Sequence, residues 1–472
     1  MFFYVYFLFF QSMGIQPDNM FIHIYKGDGV MLKHKNYFLL IIALTILLLS
    51  ACNAPQNTED ALEEVTTSSE DTNLSEENQT GSEPSQSDGS FDTIRLYLSA
   101  DQSISKSSGR SIEQGITAAL AEVDYKIHNQ KIEVVLLDHK GSSQRAKQHL
   151  DTFIEDRQAL LLFTGLHSPP VLDNRDFINE NGILTLDPWA AAGPITRYPS
   201  ENNWIFRLSV DDTKAGEFIS DYALSEGFSS PYLILEDTGW GTSNQKTMTS
   251  ALAKSEIVPA GIAWFNWSLG INQAKLILRE AYESGADVIF FVGNAPEGKV
   301  FAEAMTLIDE HKRLPIRSHW GITGGDFQEV ISADMRALLD LKFLQTKFSF
   351  LNIEEHTIAG QVLENTYLLY PGEVEKPEDI QAPTGFIHAY DLTKLMIKAM
   401  ESVDSDLSIP LKRNELRKSL ENISEPVEGL IKTYNKPFSV YSENNIDAHE
   451  ALNINDFRMA YYNEDNSIIL VE

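Results

Sequence analysis

Pro231-Tyr-Leu-Ile-Leu235 is a short apolar run, and it ends in Glu236-Asp-Thr-Gly-Trp-Gly-Thr-Ser-Asn-Gln245. An apolar strand that stops in a glycine-rich turn feeds a helix, the βα unit of a parallel sheet. Trp240, the bulkiest side chain available, stands between Gly239 and Gly241. Glycine lacks a Cβ, so the pair lets backbone and indole approach something closely. That something is either the protein's own core or a ligand.

Working outward from this unit, strand-like and helix-like segments alternate on both sides. Upstream lie strands Thr93–Leu98, Lys131–Leu137, Ala159–Phe163 and Ile183–Leu186, with helical periodicity over 109–127, 143–157 and 172–181 between them. After Trp204–Ser209 the pattern resumes: helix 215–226, strand 232–235, helix 245–255, strand 261–264, helix 271–284, strand 287–292, helix 298–311 and strand 316–318. Strands separated by helices of ten or more residues predict parallel sheets wound on both faces. Two such blocks in tandem predict an α/β fold with two doubly wound parallel-sheet lobes.

Open α/β sheets bind ligands beyond the carboxyl ends of their strands. Here those ends carry Trp189, Trp240 and Trp320, with Trp264 and Trp267 at a fourth. A single indole is ordinarily core material. Several at strand ends, beside Gly, Ser, Asp and Pro, favour a cleft lined by indoles. His167, Ser168, Asp187, Ala190, Ala191, Asp237 and Asn294 occupy the same strand-end segments and complete the candidate set.

Composition narrows the function. The chain has 472 residues, 43 % hydrophobic and 10 % aromatic, with a formal net charge of −31. Such an acidic surface argues against nucleic acid, whose phosphates require basic partners. One cysteine, Cys52, excludes an intrachain disulfide. It closes a basic segment (Met31–Lys35), a 13-residue apolar run (Tyr37–Leu49) and Ser50-Ala51. That run is short for a membrane span but fits the core of a signal peptide. Leu49-Ser-Ala-Cys52 resembles the bacterial lipobox, which implies lipid attachment at Cys52, a signal peptide over 31–51 and an upstream extension over 1–30. Residues 53–92 contain no Lys or Arg and are rich in Ser, Thr and Glu. They cannot bury enough apolar surface to fold, and so read as a disordered tether spanning roughly 35 Å.

From about Thr93 onward the chain resembles the branched-chain amino-acid binding proteins of ABC importers, the type I periplasmic-binding fold. The resemblance rests on Gly109…Gly115, Ile183-Leu-Thr-Leu-Asp-Pro188, Trp204-Ile-Phe-Arg-Leu-Ser-Val-Asp-Asp212, Glu236–Gly241, Ser284-Gly-Ala-Asp-Val-Ile289 and Ala389-Tyr-Asp391, in family order. It implies two lobes joined by three crossing strands, one over 93–210 plus 343–432 and the other over 211–342 plus 433–472. They would close on a small solute and deliver it, as a monomer, to a membrane permease and its ATPase. Carried over by position, His167 and Ser168 face the ligand carboxylate, Ala190 and Ala191 offer backbone groups, and Trp240 replaces a capping Tyr. Trp320 stands where amino-acid binders place a Glu for the ligand ammonium. A buried ammonium needs a carboxylate, so an ordinary branched-chain amino acid is not expected. An aromatic cleft suits a cation or a ring-containing solute, with Asp187 and Asp237 as candidate counter-charges. Both Asp residues sit equally well as helix caps.

No phosphate-binding loop, dinucleotide fingerprint, nucleophile elbow or metal-ligand spacing occurs. No cofactor, no metal and no catalysis are expected. Two alternatives use the same fold without transport: a lipoprotein that regulates envelope enzymes, and a sensory module that reports its ligand to a membrane receptor.

Overall fold

The computed structural model describes residues 92–351, 353 and 357–471. The proposed extension, signal peptide, Cys52 and most of the tether lie outside the described residues. The first sheet contains β1 (Thr93–Ala100), β2 (Lys126–Ile127), β3 (Gln130–Asp138), β4 (Ala159–Thr164), β5 (Thr185–Asp187) and β6 (Ile205–Arg207). Their order is β2-β3-β1-β4-β5-β6, parallel except for the short β2 edge. β4 is buried at every position, as a central strand apolar from Ala159 to Phe163 and covered on both faces must be.

The second sheet begins with β7 (Pro231–Glu236), β8 (Gly261–Phe265), β9 (Val288–Val292), β10 (Ile316–Ser318) and β11 (Leu341–Thr346). After a two-stranded ribbon, β12 (Val427–Glu428) with β13 (Thr433–Tyr434), it ends with β14 (Phe457–Tyr462) and β15 (Ile468–Leu470). The order is β15-β14-β11-β10-β9-β7-β8, with β14 and β15 antiparallel. β7 and β9 are interior and wholly buried, as the apolar runs Pro231–Leu235 and Val288–Val292 predict, with Glu236 closing β7. β8 is an edge, which leaves Ile262 and Trp264 exposed on one side.

Several helices start where a side chain satisfies a free backbone N–H group. Ser142 accepts from the Arg145 N–H at 3.3 Å, and Asp211 accepts from Thr213 at 3.1 Å. Helix Gly239–Lys254 begins six residues before the expected Gln245, because Thr238 caps it by accepting from the Gly241 N–H. Trp240 therefore lies in a first helical turn, not in a loop. The predicted helix over 172–181 divides into Ser168–Leu172 and Arg175–Glu180.

β11 lies wholly in the second sheet, so the chain leaves that lobe after Thr346 and not at 343. The return crossing also comes later than 433, since Tyr434 still donates to Asp391 on the first-lobe helix Pro383–Met400, at 2.7 Å. Asp391, the acid of the Ala389-Tyr-Asp motif, also accepts from the Leu430 and Ile431 N–H groups. Where β6 leaves the first sheet, Arg207 is fully buried and forms a hub. Its guanidinium pairs with Glu450 at 2.6 Å and Asp211 at 3.1 Å, and donates to the Ala190 and Ala192 carbonyls at 3.1 and 3.0 Å. The Arg thus ties two acids from crossing segments to one strand-end loop.

Candidate functional site

The carboxyl ends of the two sheets face each other. From the first lobe, β4 delivers Leu166, His167 and Ser168, and β5 delivers Trp189 and Ala191. From the second, β7 delivers Glu236 and Trp240, β9 delivers Asn294, and β10 delivers Trp320 and Gly321. All of these line one cavity. It leaves about 10 Å³ for the centre of a water-sized sphere, the least that holds one water. At this lobe spacing the cleft is shut, and the lobes must separate to admit anything larger.

The indoles shut it. Trp320, 1 % exposed, reaches from the second lobe to within 5.9 Å (ring centroids) of Trp189 and 5.0 Å of His388 in the first. His388 is held neutral: burial pulls its pKa down to about 3. Its Nδ1 donates to the Pro188 carbonyl at 3.1 Å, which leaves Nε2 to accept from Thr346 at 3.2 Å. A Cβ on Gly385 would come within 2.7 Å of the Trp189 ring, so the helix backbone itself forms the floor under that indole.

Trp240 is 4 % exposed and stands edge-on to His319, 5.1 Å away at 89°. Its Nε1 donates to Asp212 Oδ1 at 3.2 Å. His319 Nδ1 accepts from the Trp320 N–H at 2.9 Å, so the proton resides on Nε2, which donates to the same Asp212 oxygen at 3.1 Å. Asp212 thereby fixes both the cleft indole Trp240 and the imidazole packed against it. Both glycines beside Trp240 have a use. A Cβ on Gly241 would sit 1.9 Å from the Glu236 carbonyl, and one on Gly239 would sit 2.7 Å from Leu172 of the opposite lobe. The turn needs glycine to fold tightly on its own strand and to let the lobes meet.

The cavity is acidic. Glu236, 1 % exposed, accepts from Asn294 Nδ2 at 3.1 Å and Thr238 Oγ1 at 3.1 Å. Burial pushes its pKa up against the opposing hydrogen bond from Trp267. Glu297 behind it is likewise raised by burial. No Lys or Arg lines the cavity. Sequence reasoning passed over Glu236, although its signal was present: a carboxylate closing an otherwise apolar strand. His167 bonds Asp101 at 3.1 Å through Nε2. Burial would raise Asp101, but the bonds from His167 and the Ile104 N–H outweigh it and hold it at about 2. Among the described residues His167 Nδ1 and Trp189 Nε1 are buried without hydrogen-bond partners, an acceptor or donor and a donor left over beside the cavity.

Three candidates fall elsewhere. Asp237 is exposed and outside the lining. Asp187 shapes its own loop: Oδ1 accepts from Thr164 Oγ1 at 2.8 Å and from the Trp189 and Ala190 N–H groups at 3.1 and 2.8 Å. Burial lifts it to about 7 despite nearby Arg207. Ala190 is buried, its carbonyl held by Arg207. Ser168 lines the cavity, but its hydroxyl accepts from the Ala192 N–H at 3.2 Å. Trp264 and Trp267 are partly exposed, and Trp267 reaches to 5.4 Å from the His167 ring, across the cleft mouth.

Comparison with known proteins agrees with this fold. The family model described as periplasmic binding protein matches residues 97–308. No curated protein matches the chain. A type 1 periplasmic binding protein from Bordetella pertussis superposes with a TM-score of 0.67 at 16 % identity, covering 80 % of this chain and 99 % of that one. A solute-binding protein of an ABC transporter from R. palustris, in complex with benzoate, gives 0.64 at 15 %, covering 80 % and 95 %. A leucine-binding protein from Thermotoga maritima gives 0.62 at 14 %, covering 80 % and 98 %. The chain has the type I periplasmic-binding fold, and its residues 97–308 carry the signature of the periplasmic binding proteins.

Proposed function

We propose that the protein is an extracytoplasmic solute-binding lipoprotein that captures a small molecule between its lobes for an ABC importer. The observation that carries this reading is a single cavity built by strand ends of both lobes, walled by three indoles and holding the buried Glu236 carboxylate. Solved proteins with this fold include transporter components in complex with benzoate or named for leucine.

The solute class follows from the charge. With the buried Glu236 and no Lys or Arg in the lining, a carboxylate such as benzoate meets a like charge, whereas a cationic nitrogen gains Glu236 and the π-faces around it. Trp189 Nε1 supplies a donor for an acceptor on the same solute. Anchoring through Cys52, a permease–ATPase partner and a monomeric state complete the proposal. Calorimetric titration with choline, leucine and benzoate tests it. Choline binding at submillimolar Kd, weakened tenfold or more by Glu236→Gln, is expected; tight leucine or benzoate binding insensitive to that change refutes the cationic class.

The indoles filling the interface favour one second reading, a sensory or regulatory module that works with its lobes shut. Small-angle scattering separates the two. A transport subunit opens measurably in the absence of solute, and a regulator keeps the dimensions of the shut form.

A further inference from the structure

Trp267, on the loop between β8 and the helix Ile271–Glu283, does not line the cavity, yet it is the indole that crosses the cleft mouth. Its loop starts beside the cleft carboxylate. Phe265 stands opposite Glu236 in the β7–β8 pairing, and its carbonyl accepts from the Asp237 N–H at 2.8 Å. Phe265 and Leu269 are buried in the second-lobe core and anchor the loop, while Asn266, Trp267 and Ser268 stand exposed between them. Ser268 holds a φ of +70°, a left-handed conformation that costs any residue with a Cβ. The indole is therefore borne on a short, fixed perch and travels with its lobe.

Its seat belongs to the other lobe. The Trp267 and His167 ring centroids lie 5.4 Å apart at an interplanar angle of 44°. The edge of the six-membered ring lies over Gly141, in the loop after β3. A Cβ on Gly141 would come within 3.0 Å of that edge, and its φ of +73° also favours glycine. The seat is itself held in place: the Gly141 N–H donates to His139 Nδ1 at 3.0 Å, and His167 Nε2 bonds Asp101 at 3.1 Å. His167 lines the cavity, so the indole lies directly outside the cavity wall.

We propose that Trp267 is the latch of the cleft, an affinity-determining residue whose seating on His167 and Gly141 holds the lobes shut and slows the escape of a captured solute. This rests on the reading of capture between the lobes, and is independent of the solute's charge. Perch and seat belong to different lobes, so the contact exists at the shut spacing and is lost when the lobes part. Ring contacts of this kind shift an equilibrium about two- to tenfold. Even when seated, Trp267 is 41 % exposed. It therefore acts on the spacing of the lobes and adds little to the core of either.

Single-molecule energy transfer tests the latch without any solute. Dyes are placed on Glu155→Cys and Glu283→Cys, at exposed helix ends of the two lobes, in the Cys52→Ser chain. With Trp267 in place both shut and open forms should be populated. Trp267→Ala should raise the open-to-shut ratio about two- to tenfold at an unchanged melting temperature, and Trp267→Phe, which keeps a ring over Gly141, should restore much of the shut form. Stopped-flow release of choline should quicken by the same factor in Trp267→Ala. An open-to-shut ratio unmoved by Trp267→Ala overturns the proposal, as does a chain with Trp267 that shows no shut form without solute. A melting temperature lowered by many degrees would mark the indole as core and overturn it too. Absence of choline binding refutes the cationic solute class alone, because the ratio still decides the latch.

Discussion

Replacing Arg207 by Met tests whether the crossing segments depend on the buried guanidinium hub. Met retains much of the volume but none of the charge. The deficit comes chiefly from Glu450, whose side chain is 1 % exposed and whose remaining side-chain partner is the Thr196 hydroxyl. Asp211 suffers less, because Arg197 and Lys214 also contact it, at 2.6 and 3.0 Å. The Ala190 and Ala192 carbonyls lose a donor each. Removing one partner of a buried ion pair costs about 3–5 kcal/mol. With a urea m-value near 3 kcal/mol/M, the unfolding midpoint should drop by about 1–1.7 M. Adding Glu450→Gln to the variant removes the stranded charge, and so should recover a substantial part of that loss. Urea unfolding followed by circular dichroism measures both, and hydrogen exchange over 188–192 reports whether the strand-end loop has loosened. A single-variant loss below about 1 kcal/mol, or no recovery in the double variant, would show that desolvation of the three charges already cancels their attraction.

Asp187 offers a pH signature. Its folded pKa of about 7 lies above an unfolded value near 3.9, so it stabilises the fold below that lower value and the contribution is lost as pH rises through about 7. Asp187→Asn keeps the accepting oxygen, and should therefore match the wild type at pH 4 and exceed it at pH 8; equal stability at both would contradict the burial argument. Gly241→Ala drives a methyl to 1.9 Å from the Glu236 carbonyl, and a loss of about 1–3 kcal/mol is expected from such overpacking, read by thermal melts. An unchanged melt would mean the helix start can shift freely. Cys52→Ser should move the protein from the membrane fraction to the soluble fraction on cell fractionation, and persistent membrane association would rule out the lipid anchor.

Periodicity alone carried the architecture: uniformly apolar strands such as Ala159–Phe163 and Val288–Val292 have no polar face to offer water, so they must be central in sheets covered by helices. The strand-end rule singled out edges that the structure brings together, since Trp189, Trp240 and Trp320 line one cavity. Three things were not legible. Helix starts depend on which hydroxyl or carboxylate reaches a free N–H, which is why Thr238 brought Trp240 into a helix. The orientation of each acid depends on a φ/ψ pair and its neighbours, which turned Asp187 back on its own loop, left Asp237 in solvent and put Glu236 in the cleft. Whether indoles from opposite lobes leave room for a guest or pack on one another is a matter of ångströms between two rigid bodies, and no local pattern encodes that distance. Hydrophobic periodicity is a property of neighbours along the chain; the spacing of the lobes is set by contacts such as Arg207 with Glu450 that join residues far apart in it.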